Sequence, residues 1–383
     1  MYPKSAGSSK ALARQRPPGF AEEDDEQAPI PFQRRSGRGA SSNKSGRFER
    51  EVVDDGWGGL ESEEALKPLK THVTIERPKT IITRNDSPDI SFDRSINPYR
   101  GCEHGCVYCF ARPTHAYMGM SPGLDFETRL FAKEGAAELL ERELGARNYI
   151  PKVIAIGTNT DPYQPIERHH RIMRSVLEVL ARTQHPVCIV TKSALVTRDI
   201  DLLAPMAKEG LAKVAISVTS LDRRLARSME PRASSPDRRL EAIRQLNEAG
   251  IPAGIMVAPI IPGVTDMEME NILERAHEAG AREAGYVMLR LPLEVQDIFG
   301  EWLLAAEPDK YRRVMALLRS MREGKAYDST WGKRMTGTGP YAQMTKRRFE
   351  AALQRIGYAP TRLKMRTDLF KPPPKIGDQL DLF

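Results

Sequence analysis

From about residue 85 the chain alternates short apolar runs with longer stretches whose apolar residues recur every three or four positions. The runs are Val153-Ile154-Ala155-Ile156, Val187-Cys188-Ile189-Val190, Val214-Ala215-Ile216-Ser217-Val218, Gly254-Ile255-Met256-Val257 and Tyr286-Val287-Met288-Leu289. Each is short and rich in β-branched residues, which predicts a strand buried on both faces. The periodic stretches Ala136 to Leu144, Arg168 to Ala181, Arg238 to Ala249 and Met267 to Ala279 predict amphipathic helices. Gly250 and Gly280 follow Ala at the ends of the last two, a common helix stop, and Asp266 could cap the start of the last. Strands alternating with helices imply parallel strands joined by crossover helices. With the segment Ile90 to Ile96 as a further strand there are six βα units, too few for a closed eight-fold barrel.

The flanks read differently. Residues 1–75 carry Ser, Gly, Pro and blocks of charge, with Glu22-Glu23-Asp24-Asp25-Glu26 followed by Arg34-Arg35-Ser36-Gly37-Arg38-Gly39. Such a segment buries too little apolar surface to offset its ordering entropy, so disorder is expected. The α/β part is expected over 76–305 and a helical extension over 306–365, from Tyr311 to Arg322 and Tyr341 to Ile356. A flexible tail, 366–383, carries Pro372-Pro373-Pro374 and ends Gln379-Leu380-Asp381-Leu382-Phe383.

Candidate chemistry centres on Cys102-Glu103-His104-Gly105-Cys106-Val107-Tyr108-Cys109. Three closely spaced thiolates can hold three irons of a 4Fe–4S cluster and leave the fourth iron open to an exogenous molecule. The remaining cysteine, Cys188, lies in an apolar strand. A zinc site would want a fourth ligand, which His104 or His115 could supply, but the paired CxxC knuckles of such sites are missing. Four cysteines in 383 residues do not make a disulfide framework.

The C-x3-C-x2-C run, with an aromatic residue before its last cysteine, resembles the signature of the radical S-adenosylmethionine (SAM) superfamily. The longer stretch Ile96-Asn97-Pro98-Tyr99-Arg100-Gly101-Cys102 through Cys109-Phe110-Ala111-Arg112 is similar to a bacterial subgroup related to spore photoproduct lyase. The resemblance covers roughly residues 80–330. It implies an α/β fold, a partial (β/α)6 TIM-like barrel with its site at the carboxyl ends of the strands. It further implies a 4Fe–4S cluster on Cys102, Cys106 and Cys109, SAM as co-substrate, and a flavodoxin or ferredoxin-type electron donor. The implied chemistry is reductive SAM cleavage to a 5′-deoxyadenosyl radical that abstracts a hydrogen atom.

Several strand-end residues suit that chemistry. Asn159 and Asp161 occupy the place of the superfamily's glycine-glycine-glutamate element, whose wording this chain lacks, and they could accept hydrogen bonds from the SAM ammonium; the alternative is a helix cap, with Asp161 simply preceding Pro162. Lys192 could pair with the SAM carboxylate, and Ser217 and Thr219 could bind ribose hydroxyls or that carboxylate. Tyr108 is expected against the adenine or the cluster. Arg232 could contact SAM or an anionic substrate, with a structural Glu230–Arg239 pair as the alternative in that region. Arg290, ending the sixth strand, is a candidate for a substrate phosphate. Spore photoproduct lyase returns a hydrogen atom from a protein cysteine; here Cys188 is the only spare thiol, and Tyr163 or Tyr117 could substitute.

The terminal Gln379, Leu380, Leu382 and Phe383 resemble the pentapeptide by which bacterial replication and repair proteins dock on the DNA sliding clamp, which points to DNA as substrate. The net charge of +7 suits a polyanionic partner but decides little. No run is apolar enough to span a bilayer, and the first thirty residues lack a signal core, so no membrane role and a cytoplasmic location are expected. The reading is a radical SAM enzyme acting on DNA or a nucleotide-like substrate in lesion repair or processing. Its alternatives are a radical SAM enzyme modifying RNA, protein or a metabolite, and a non-catalytic iron–sulfur DNA-binding or redox-sensing protein.

Overall fold

Each apolar run becomes a strand, and the strands line up as parallel neighbours. The computed structural model describes residues 37–48 and 69–374. In chain order the strands are β1 (His72–Ile75), β2 (Ile82–Arg84), β3 (Arg94–Ile96), β4 (Tyr99–Arg100), β5 (Arg129–Ala132), β6 (Ile154–Ile156), β7 (Val187–Thr191), β8 (Ala212–Ser217), β9 (Ala253–Ile260) and β10 (Ala284–Met288). The main sheet has the order β10-β9-β8-β7-β6-β3-β2. Its six strands from β3 to β10 run parallel, and β2 is an antiparallel addition at one edge. This is the expected partial (β/α)6 barrel. A small second sheet, β1-β5-β4, flanks it.

The helices are α1 (Leu124–Thr128), α2 (Ala136–Leu144), α3 (Glu167–His170), α4 (Ile172–Arg182), α5 (Ile200–Lys208), α6 (Arg223–Met229), α7 (Pro236–Glu248), α8 (Met269–Glu278), α9 (Val295–Ala306), α10 (Tyr311–Ser320) and α11 (Gly339–Ile356). Their buried faces follow the sequence period: Ile172, Met173, Val176, Leu177 and Leu180 on α4, and Met269, Ile272, Leu273 and Ala276 on α8. Gly250 and Gly280 adopt φ of +77° and +103° after α7 and α8, conformations glycine takes without steric cost. Among the described residues no helix is long and apolar enough to cross a membrane.

Four expectations change, and one helix is added to them. The helix expected from Arg168 to Ala181 is two, broken at Arg171, whose φ of +51° ends α3 before α4 begins. Asp266 caps nothing; its carboxylate accepts the Tyr341 hydroxyl of α11 at 2.6 Å. The periodic stretch of α9 (Val295, Ile298, Phe299, Trp302, Leu303) went unnamed in the pattern reading. Within the segment expected to be disordered, residues 37–48 and 69–75 are built into the domain mostly by polar bonds and the β1–β5 ladder, with only Ala40, Leu69 and Val73 packing on apolar clusters, too few to give a period to read. Within the expected flexible tail, residues 366–374 pack across the amino-terminal end of the barrel. There Arg366 N donates to Gly210 O (3.0 Å), Lys371 N to Thr183 O (2.9 Å), and the Phe370 ring stands edge-on to His185. The terminal peptide with Gln379, Leu380, Leu382 and Phe383 lies outside the described residues.

A sheet of this curvature has two free edges. The segment after α10 spans them: Met288 N donates to Met335 O at 2.8 Å on the β10 side, and Arg334 binds Asp89 in the β2–β3 loop.

Candidate functional site

The chain leaves β3 at Ile96, turns through β4 and delivers the cysteine loop to the carboxyl-end mouth of the barrel. Gly101 and Gly105 take φ of +71° and +67°, and a Cβ on Gly101 would meet Leu130, Phe126 and His115 at 3.0 Å or less, so both turns need glycine. Gln164 spans the loop's base, donating to Gly101 O at 3.1 Å and accepting Glu103 N at 2.9 Å. The buried Arg112 guanidinium donates from Nε to Cys106 O at 2.9 Å and pairs with the buried Glu127. Sequence reasoning singled out neither Gln164 nor this pair: isolated polar residues inside a fold leave no period.

Cys102 and Cys106 are buried and Cys109 half-buried. Burial pushes all three thiols up, Cys102 well above its usual range; neighbouring charges add to this at Cys102 and, through Glu230 first, at Cys106, whereas Arg112 and Lys192 oppose it at Cys109. Thiolates gathered here therefore need a strongly positive partner. The backbone N–H of Asp161 favours the charged form of Cys102, and those of Ala111 and Arg112 that of Cys109, an influence of the kind that tunes an iron–sulfur site. Among the described residues no three His, Cys, Asp or Glu converge on one metal ion. A cubane asks something else, three sulfurs each facing its own iron, and this donor set fits it. His115 is buried among Phe126 and Phe131 with Nε2 at 3.0 Å from Arg129 O, a loop-ordering role.

The ends of β6 to β9 face this loop. Asp161 accepts Lys192 N (2.7 Å), the Thr191 hydroxyl (2.7 Å) and Tyr163 N (2.9 Å), with His104 Nδ1 at 3.4 Å. Burial opposes its charge, yet His104 and these donors hold its carboxyl down at about 2. Its acceptor capacity is thus already used within the fold, and the cap it makes is over a turn through Tyr163 N, not the helix cap of the alternative reading. Asn159 takes its place through its backbone, its N–H donating to Asn97 Oδ1 at 3.0 Å, and its side chain stays half-exposed.

Lys192, Ser217 and Thr219 do come together. Lys192 Nζ donates to Ser217 Oγ at 3.0 Å, and the Ser217 and Thr219 hydroxyls lie 2.9 and 3.1 Å from the carbonyl of Ala258. Burial pulls Lys192 down, while the charge of Cys106 opposes that, so its ammonium sits within electrostatic reach of the cluster loop. Tyr108 stands at the back of the same group: its hydroxyl donates to Glu230 and lies 3.1 Å from Thr219 Oγ1, and Lys192 Nζ is 5.8 Å from its ring centre. Glu230 in turn pairs with Arg239, both buried, so the structural alternative holds for that pair.

Two other candidates have partners within the fold. Arg232 pairs with Glu103 inside the cysteine loop at 3.1 Å, and its N–H donates to His104 O, so it braces the loop. Tyr163 is buried with its hydroxyl donated to Asp199 at 3.1 Å, among the ion pairs of Arg198 and Arg174, so its hydroxyl is spent on the fold. Tyr117 is exposed and packs on Phe48 and Arg47. Cys188 shares a strand face with Val190 and Lys192 but sits four residues earlier, roughly 13 Å down the strand. Its neighbours there are Lys213 and Glu283 at the barrel's amino end. Arg290 reaches the mouth: its guanidinium lies 4.7 Å from the ring centre of Phe110 and has Tyr327 beside it, its Nε has no hydrogen-bond partner, and Nη1 meets the Met335 sulfur.

Residues 96–276 match the model of the radical SAM superfamily. An uncharacterized protein of Mycobacterium tuberculosis is 36% identical over 232 residues, 60% of this chain and 68% of that protein. A protein of Acidianus two-tailed virus is 26% identical over 253 residues, 65% and 79% of the two chains. Among solved structures, spore photoproduct lyase complexed with dinucleoside spore photoproduct superposes with a TM-score of 0.54 at 19% identity, covering 74% of this chain and 79% of that one. A mutant of that enzyme with bound AdoMet and dinucleoside spore photoproduct gives 0.53 at 18%, with the same coverage. At such identity the likeness is one of fold.

Proposed function

The chain belongs to the radical SAM superfamily, and from that premise we propose that its radical chemistry is directed at DNA or a nucleotide-like substrate, in lesion repair or processing. The superfamily works with a 4Fe–4S cluster and SAM; the bound pair supplies an electron and a 5′-deoxyadenosyl radical able to take a hydrogen atom from an unactivated carbon. This chain's residues do the rest. Cys102, Cys106 and Cys109 hold the iron, and Lys192 offers a cation for the SAM carboxylate. Ser217 and Thr219 present hydroxyls beside it, and Tyr108, fixed by Glu230 and Thr219, forms the wall. Asp161 orders the β6 and β7 ends under that group, and the Asn159 side chain stays half-exposed.

The observation that carries the substrate reading is Arg290. A largely buried guanidinium with an unpartnered Nε, laid over the residue that follows the last cysteine, is a ready receptor for a phosphate. The resemblance of the carboxyl-terminal peptide to clamp-docking segments supports DNA, as does the dinucleoside photoproduct held by the enzyme of like fold.

Anaerobic reconstitution with iron and sulfide, then dithionite and SAM, should yield 5′-deoxyadenosine. Ultraviolet-damaged DNA deuterated in its thymines should pass deuterium into that product. Label arriving from RNA or a protein instead would overturn the DNA reading. A fully loaded cluster that never cleaves SAM would make the protein a sensor.

A further inference from the structure

Residues 37–46 form a polar strap lying directly on the cysteine loop. Its sequence, Gly-Arg-Gly-Ala-Ser-Ser-Asn-Lys-Ser-Gly, offers almost nothing for hydrophobic burial, yet Arg38, Ala40 and Ser42 are at most 3% exposed. Polar bonds hold it. Gly39 N and Ala40 N donate to the two carboxylate oxygens of Glu127 at 2.9 and 2.8 Å, and Arg38 donates to Glu127 O (2.8 Å), Leu69 O (2.7 Å) and Thr71 Oγ1 (3.0 Å). Further along, Asn43 and Asp125 exchange two bonds, and Ser42 reaches Glu301 on α9 at 2.9 Å.

The contact with the loop is backbone on backbone. A Cβ on Gly39 would fall 1.7 Å from the carbonyl oxygen of Gly105, which lies between Cys102 and Cys106. The Glu127 carboxylate also takes Arg112 Nη2 at 2.5 Å, and Arg112 holds Cys106 O. One carboxylate thus ties the strap's amides to the guanidinium that fixes the middle cysteine. Thr71, bound by Arg38, donates in turn to Glu103 of the loop.

We propose that the strap around Arg38–Asn43 is a working part of the iron–sulfur site: it seals one side of the cysteine loop from water and dioxygen, with Glu127 as its positioning residue. The solvent exposure of an iron–sulfur site sets its potential, and outer-shell groups govern how firmly it is held. A segment whose one small apolar anchor is Ala40, against Leu124 and Ile298, and which is otherwise held to the loop by the buried Glu127 carboxylate, serves that purpose better than it serves core stability. The inference needs the cluster but neither SAM turnover nor a DNA substrate, so its test is independent of both.

The test is Gly39→Val in the full chain, which drives a branched side chain against the Gly105 carbonyl and forces strap and loop apart while keeping all three cysteines in the sequence. After anaerobic reconstitution and iron and sulfide assay, the protein is exposed to air and the loss of its brown absorption followed. Bleaching is expected to be about tenfold faster than in the parent. The midpoint potential is expected to rise, because water stabilises the more highly charged reduced form. Glu127→Gln, which keeps the shape and one acceptor, should move both readouts the same way by less; if Gly39→Val fails to fold, this variant decides. Loaded variants that bleach at the parent rate with an unchanged potential would overturn the proposal.

Discussion

Arg334 grips both carboxylate oxygens of Asp89, at 2.6 and 2.8 Å, and so joins the two edges of an open barrel. The arginine follows α10 and is anchored to β10 through Met335 O, whereas Asp89 belongs to the β2–β3 loop at the far side of the sheet. Arg334 holds the Asp89 carboxyl below its usual range. The pair is 18% and 9% exposed, sheltered enough for a two-pronged bond to count. Arg334→Ala should lower stability by about 1–3 kcal/mol, read by urea denaturation. Asp89→Asn in the same background should add little, since the interaction is already gone.

The buried Glu230 carries more. It receives Tyr108, Thr219 and Arg239, and the last has no other carboxylate. Glu230→Ala leaves an uncompensated guanidinium and should cost about 3–5 kcal/mol. Tyr108→Phe removes one of three donors and should cost about 1 kcal/mol, with full iron and sulfide retained. A Glu230→Ala protein as stable as the parent would show that this network does not hold the mouth together.

Iron loading separates the cysteines. Cys106→Ala should abolish the brown chromophore, and Cys188→Ala should leave it intact, because Cys188 sits far down the strand beside Lys213. Loss of colour in the second variant would make Cys188 a ligand and remove the open iron.

Lys192→Met should weaken SAM binding to the reconstituted protein at least about tenfold, or roughly 1.4 kcal/mol, with the cluster spectrum preserved. Unchanged affinity would free Lys192 for another role, as its bond to Ser217 already allows.

Acid should loosen the other end of the barrel. Burial pushes His185 down to about 4; its Nδ1 faces Pro186 O at 3.1 Å and its Nε2 faces the Tyr149 hydroxyl at 2.8 Å, the arrangement of a neutral ring. The unfolded chain protonates near 6.5 and the folded chain only near 4, so between these values the unfolded state holds more protons. Stability is therefore full above about 6.5 and falls by roughly 3 kcal/mol as the pH drops to about 4. Thermal melts of His185→Gln over that range should show a shallower slope than the parent.

The clearest lesson concerns which residues could be read in advance. Cys102, Cys106 and Cys109 are neighbours in the chain, so their spacing alone announces their chemistry. Lys192, Ser217 and Thr219 were legible because the end of a parallel strand points to one mouth, and the strands were legible from their apolar runs. Arg232 and Tyr163 looked equally suitable by position. Their side chains found Glu103 and Asp199 instead, partners remote in sequence.

Local order along this chain determined the six parallel strands, their helices and the iron-binding loop, because apolar period and ligand spacing act over a few residues. Only the tertiary structure decided that Gly39 lies on Gly105, that Glu127 joins the strap to Arg112, that Arg334 bridges to Asp89, and that residues 366–374 cross the barrel's amino end. Apart from the Phe370 ring packed on Tyr149 and His185, these are single polar or backbone contacts between distant segments. Their energies depend on burial and direction, which exist only once the chain has closed on itself.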